Sequence, residues 1–291
     1  MMGELGLYGF EKNRWTIDVD MEALNNDGSQ ERNVALFLNK IHNTAVDLLV
    51  RTRDITVVIP KEGDRIWTGY FAQSTQESEG AILELFPDGL NIPVDNQDWW
   101  HAHAGLAIRK VGRTDMAANL KHLENIARNI LSVQDDRRFV IGISITGWKF
   151  MTCCFDRSGC ARTPVMDMNN EGSALTLIRA LAGIRLAPKF FLGYDATIST
   201  DSDGQRRIKY GPGEDEHAKI IKTAYLTRGI RTRATAIYEC EADDGTKFAI
   251  KDSWVDISGT YKEHELLRLA NEKGLEGVPQ LLSNWVVCND G

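Results

Sequence analysis

The sequence has no run of apolar residues long enough to span a bilayer, so no membrane-spanning helix is expected. It has no basic amino-terminal stretch leading into an apolar segment. MMGELGLYGFEKNRW lacks both parts, so no signal peptide is expected, and a glycine placed after two methionines is a poor myristoylation match. It has no basic surplus. The net charge of −7 argues against a nucleic acid as the main partner, and the short basic stretches DDRRF and RGIRTR read as solvated faces. It has no C-x-x-C pair. The five cysteines, Cys153, Cys154, Cys160, Cys240 and Cys288, are odd in number in a chain of this size, which excludes a disulfide framework as the organising device. Cys153 and Cys154 are adjacent on an expected strand and point to opposite faces, which does not suit a zinc site. Reduced, mostly buried thiols in a cytoplasmic or nuclear protein are the expectation. No internal repeat is present.

What remains is the composition of a globular protein, 43% hydrophobic and 26% charged over 291 residues, enough for one large domain or two ordinary ones. Apolar residues recur at helical spacing over 34–50. DITVVIP (54–60), IWTGYFAQST (66–75) and AILELF (81–86) read as strands, the last ended by the turn PDG. A long amphipathic helix is expected over 114–133, with Thr114 as its N-cap. RFVIGISIT and KFMTCCFD form a hairpin about Gly147 and Trp148, and a helix follows over 172–184. Residues 195–216 are rich in Asp, Ser and Gly and read as a linker. STDSDGQ within them lacks the first and closing ligands of a calcium loop. Strands follow at 219–227, 235–242 and 246–254, the last two joined by the hairpin turn DDGT. Then come a helix over 261–273 stopped by Gly274 and a final strand over 278–287. The expected fold is α+β, with a mixed α/β domain at 1–194, a linker at 195–216, and an antiparallel sheet with one helix at 217–291.

FAIKDSW, Phe248 to Trp254, places Lys251 on an apolar strand. Inside a small sheet a lysine needs a carboxylate or must lose its charge. The following helix offers Glu263, with Leu266 and Leu267 expected to face inward, and Glu265 is the alternative. The order strand, turn, strand with lysine, helix with glutamate is that of the lysine–glutamate pair in a protein-kinase small lobe, and FAIK has the form of the V-A-I-K motif. The loop that would cover phosphates, TRGIRTRATAIYE, has only Gly229 in place of G-x-G-x-x-G. Arg228, Arg231 and Arg233 supply charge there instead, and an ordinary basic hairpin turn is the other reading.

IKDSW, EHELLRLANEKGLEGVPQLL and the upstream SVQDDRRFVIGISITGWKFMTCCFDRSG together resemble the fungal-type protein kinase family, over 114–184 and 219–287 and more loosely over 34–110. The resemblance implies a serine/threonine kinase using ATP with magnesium, with 217–291 forming part of the kinase N-lobe. It implies Lys251, Glu263 and Gly229 as nucleotide-contacting positions and no metal ligand in this chain. The region ahead of the lobe resembles in places a degenerate restriction-endonuclease-like core. Asp47 would stand as its acidic residue, but Ala72 and Ser74 lie where a glutamate and a lysine are needed, so a non-catalytic scaffold is expected. In WWHAH, His101 and His103 are expected on one face of a strand. With no third ligand nearby they read as packing rather than metal binding.

Phosphoryl transfer also needs the catalytic aspartate and asparagine of H-R-D-x-x-x-x-N and the aspartate of D-F-G, and neither motif occurs. The expectation is kinase ancestry without kinase activity by this chain, with a pseudokinase-like interaction module as the alternative. The protein partner or substrate is not specified by the sequence. The terminal segment is expected to lean on the N-terminal domain or on a second copy.

Overall fold

The computed structural model describes residues 8–9, 14–15, 30–51, 65–68, 81–87, 99–109, 116–213, 216–255, 258 and 261–287. The expected strand at 54–60, the end of the one at 66–75 and the Thr114 cap lie outside them. The chain divides into two compact units, Met1–Tyr194 and Asp195–Gly291. No helix among the described residues is long and apolar enough to cross a membrane.

The first unit opens with a short ladder, β1 (Tyr8–Gly9) and β2 (Arg14–Trp15), and the helix α1 (Gln30–Arg51). Then follow β3 (Arg65–Thr68), β4 (Ala81–Pro87), β5 (Ala104–Arg109), α2 (Met116–Val133), β6 (Phe139–Thr146), β7 (Lys149–Asp156), β8 (Cys160–Arg162), β9 (Met166–Asp167) and α3 (Glu171–Leu186). The main sheet runs β3-β4-β5-β6-β7-β8, with β9 paired to β7. Every pairing is antiparallel except β5 with β6, which is parallel and is crossed over by α2, as a parallel pair requires.

Alternation along β5 and β6 assigns the two faces. Leu106, Ile108, Ile143 and Ile145 join the buried cluster that includes Phe37, Leu38 and Ile41 of α1 and Leu177, Leu181 and Ile184 of α3. The other face receives α2, which approaches over Gly105 and Gly142. A Cβ at Gly105 would stand 2.8 Å from Ile126, and one at Gly142 would stand 2.9 Å from Leu123, so side chains there would push the helix off the sheet. Asn119 of α2 is buried and donates to the carbonyls of Ala107 on β5 and Ile145 on β6, which ties the helix to both parallel strands. Buried Arg65 donates to the carbonyls of Ile184 and Ala187 and so caps the C-terminal end of α3. The expected hairpin 138–156 is present as β6 and β7 in the expected register.

The second unit is an antiparallel meander in chain order: β10 (Ile198–Thr200), β11 (Arg206–Lys209), β12 (His217–Leu226), β13 (Ala236–Glu241) and β14 (Lys247–Asp252), followed by α4 (Glu263–Glu272). Residues 195–216, read as a linker, instead contribute two strands to this sheet. Their polar loop is the hairpin turn itself: Asp201 accepts the backbone N–H of Asp203 and Gln205, and Gly204 takes a left-handed φ of 79°. One face of the sheet carries a small core of Ile208, Ala218, Ile220, Ala236, Tyr238 and Cys240, with Phe248 and Ile250 packed on it. The expected final strand at 278–287 is irregular. Gly277 has φ 79° and Pro279 has no N–H to give a ladder, while the Leu281 N–H is taken by the Asn271 side chain of α4 at 2.7 Å.

Candidate functional site

Strand alternation in F-A-I-K sends Phe248 and Ile250 to the core and leaves Ala249 and Lys251 on the outer face. Lys251 stands opposite Ile237 of β13. The Lys251 ammonium donates to Oε1 of Glu263, the first residue of α4. Of the two glutamates offered by the sequence, Glu263 is the one the structure brings to the lysine. Glu265 sits in the same first turn, its N–H donating to the Lys262 carbonyl. The expected burial of the pair does not occur, because the side chains of Lys251 and Glu263 are 37% and 45% exposed. Leu266, expected to face inward, is 51% exposed. The pair therefore answers no desolvation demand, and an exposed ion pair is worth only about 0–1 kcal/mol. What it does is fix where the ammonium points.

Glu263 holds a second cation that sequence reasoning did not single out as its partner. Arg233 Nη1 lies 3.6 Å from Glu263 Oε2. Arg233 belongs to the β12–β13 loop, whose carbonyl at that residue accepts the Trp254 N–H at 2.8 Å, just past β14. The loop is closed by Thr227 N–H to the Thr235 carbonyl at 2.9 Å. Inside it Thr232 Oγ1 donates to the Gly229 carbonyl at 3.1 Å and accepts the Ala234 N–H at 3.1 Å. Gly229 has a structural reason here, since a Cβ on it would meet Thr232 Cγ2 at 2.8 Å. Ala234 adopts a left-handed φ of 44°, which is uncommon for a residue with a Cβ.

Asp252, next to Lys251 but on the core side, is half-buried. Burial, and then the nearby carboxylate of Asp195, push it up to about 6. Nothing local in the sequence announces that proximity. Burial likewise pushes the Cys153 thiol up to about 12 and Cys240 to about 11, so both are held as thiols.

The charged residues of the upstream motifs serve the fold. In F-D-R-S-G, Phe155 is buried, Asp156 accepts the N–H groups of Ser158 and Gly159, and buried Arg157 donates to the Leu131 carbonyl near the end of α2. Arg137 stacks over the Tyr194 ring at 4.2 Å and donates to the His103 carbonyl. Arg138 lies over Phe190 at 4.7 Å. His101 and His103 do not share a strand face. Trp99–His101 is a 3-10 turn held by Gln134, β5 starts only at Ala104, and His103 Nδ1 pairs with the Tyr194 hydroxyl at 2.9 Å. Asp47 sits exposed on α1, a helix and not a strand. Among the described residues no three His, Cys, Asp or Glu side chains are grouped to hold a metal ion.

Comparison with known proteins adds one match. A family model described as fungal protein kinase covers residues 91–291, more than half of the chain. No curated protein and no solved structure matches the chain. The matched residues take in both F-D-R-S-G and F-A-I-K with its helix glutamate, and the chain belongs to the fungal protein kinase family.

Proposed function

We propose that Asp195–Gly291 is the nucleotide-gripping part of a kinase N-lobe, in which Lys251 contacts the α- and β-phosphates of ATP and Glu263 holds the ammonium in place. The observation that carries this reading is the Lys251–Glu263 pair between β14 and α4, which supports it because a kinase small lobe pairs a strand lysine with a helix glutamate in the same order. The residues present suit the anionic end of a nucleotide, since Lys251 and Arg233 meet on one carboxylate. ATP with magnesium would supply the phosphoryl group. The described residues offer the phosphates cations but no cluster of metal ligands. These 291 residues contain neither H-R-D nor D-F-G, so the activity proposed for them is binding and positioning, not transfer. Thermal unfolding of the full chain with and without magnesium–ATP tests this. The expected result is a higher unfolding temperature with nucleotide, lost in Lys251→Ala. No shift in the wild type overturns it.

A second reading, a pseudokinase-like interaction module, is favoured by one observation. Leu266 and Leu269 of α4 and Leu282 beyond it are 51%, 48% and 68% exposed. For the first unit we propose a degenerate restriction-endonuclease-like scaffold, a reading supported by Ala72 and Ser74 standing where such a nuclease needs a glutamate and a lysine.

A further inference from the structure

We propose that the β12–β13 loop is a guanidinium clamp for a polyphosphate anion, in which Glu263 holds Arg233 ready beside Lys251. The proposal rests on the reading of Lys251 as a phosphate contact and changes what the covering loop does. A glycine-rich loop grips phosphates with backbone N–H groups that its lack of side chains exposes. This loop has turned such groups on itself. The Thr232 N–H goes to the Ile230 carbonyl at 3.0 Å, the Ala234 N–H goes to Thr232 Oγ1, and the Thr227 N–H closes the loop on Thr235. In their place the nine residues from Thr227 to Thr235 carry Arg228, Arg231 and Arg233 and no acidic residue.

Among the described residues Arg233 alone of the three lies in an ion pair, and its carboxylate is shared with Lys251. Two cations on one carboxylate leave a net positive charge at that point, and exposed Arg228 and Arg231 add to it. The Trp254 N–H bond to the Arg233 carbonyl fixes the base of the Arg233 side chain against the end of the lysine strand. The guanidinium is thus delivered by the backbone and oriented by Glu263. Guanidinium groups bind phosphate oxygens through paired, charge-assisted hydrogen bonds, a chemistry open to a loop that turns the Thr227, Thr232 and Ala234 amides inward and carries three arginines. The ligand class is a chain of phosphates, such as the tail of a nucleoside triphosphate.

The test is titration calorimetry of the full chain with inorganic tripolyphosphate and, separately, with ATP. The proteins are the wild type, Arg233→Ala, Arg233→Lys, Lys251→Ala and the triple variant Arg228→Ala/Arg231→Ala/Arg233→Ala. All four positions are on the surface, and circular dichroism confirms folding. The expected loss of tripolyphosphate affinity is about tenfold for Arg233→Ala and about a hundredfold for the triple variant, with partial recovery in Arg233→Lys. If the triple variant binds both ligands like the wild type while Lys251→Ala abolishes ATP binding, the clamp is overturned and the nucleotide reading stands. If tripolyphosphate binding depends on the arginines but ATP binds no tighter and ignores Lys251, the clamp stands and the nucleotide reading falls. If the wild type binds neither ligand, both fall.

Discussion

α2 and α4 announce themselves in the sequence by the same apolar spacing, yet they are used in opposite ways. α2 buries Leu123, Ile126, Ala127, Ile130 and Leu131 against β5 and β6, over two glycines that let it come close. α4 buries no residue. Polar ties secure it instead: Glu263 to Lys251, Arg268 to Asn284 at 2.9 Å, and Asn271 to the Pro279 carbonyl and the Leu281 N–H. The same division separates the two family-style motifs. Arg157 of F-D-R-S-G is spent inside the fold on a helix carbonyl, while Lys251 of F-A-I-K stands at the surface with its charge directed. Periodicity reports that a helix forms. It does not report whether its apolar stripe has a sheet to lie on, and a charged residue in a recurring motif serves packing as readily as chemistry.

The sharpest way to break this comparison is pH, because each unit holds a group that titrates in the acid range, and the two shift in opposite senses. His42 is wholly buried, and burial followed by the guanidinium charges of Arg185 and Arg65 lowers it from 6.5 to about 3. As pH falls below 6.5 the unfolded chain takes up a proton that the folded unit refuses. The stability linked to His42 is therefore whole above 6.5 and drains away down to about 3. Asp252 is raised from 3.8 to about 6, so the folded unit keeps a proton that the unfolded chain has released. Its contribution is greatest below 3.8 and declines as pH rises to about 6. Each tenfold in proton affinity is about 1.4 kcal/mol, which makes His42 a matter of roughly 5 kcal/mol and half-buried Asp252, discounted for solvent screening, one of roughly 1–2. Calorimetric scans between pH 4 and 7 should show the two unfolding transitions shifting in opposite directions, once compared with His42→Gln and Asp252→Asn. Asp252→Asn should raise the second transition at pH 7. Parallel shifts, unaltered by either substitution, would sink the assignment.

The next largest contrast is between the helices themselves. Leu123→Ala removes side-chain carbons packed over Gly142 and should cost about 2–5 kcal/mol. Leu266→Ala, on the exposed face of α4, should stay within about 0.5 kcal/mol. Denaturant melts read both. A large loss from Leu266→Ala would mean that α4 has an apolar partner in solution.

Much of this was legible in the residues. The β6–β7 hairpin follows from two β-rich runs meeting at Gly147 and Trp148, and β13–β14 follows from D-D-G-T, where Gly245 takes φ 85°. Lys251 with Glu263 followed from the order of elements. The hairpin of β10 and β11 was hidden because each strand is only three or four residues long and offers the core a single apolar side chain, Ile198 or Ile208, amid turn-forming residues. Arg233 on Glu263 and Asp195 near Asp252 were hidden for another reason. Each contact joins segments far apart in the chain, and only the closed sheet brings them together. Turn chemistry and alternation are local signals, whereas a shared carboxylate is not.

A further small effect bears most directly on chemistry. In a double-mutant cycle of Lys251→Ala and Glu263→Ala, the coupling in the second unit's stability should be about 0.2–1 kcal/mol, as for other exposed pairs. Arg233 with Glu263 should couple less, because 3.6 Å is beyond hydrogen-bond contact and the arginine side chain is 66% exposed. Glu265→Ala should not couple to Lys251. A coupling of 3 kcal/mol or more would place the pair with buried ion pairs, whose loss leaves a stranded charge. Lys251 would then be a fold-holding residue like Arg157, and the contrast between the two motifs would collapse. A small coupling leaves the lysine energetically idle in the free protein, which is the state in which its charge can be given to an incoming phosphate at little cost to the fold.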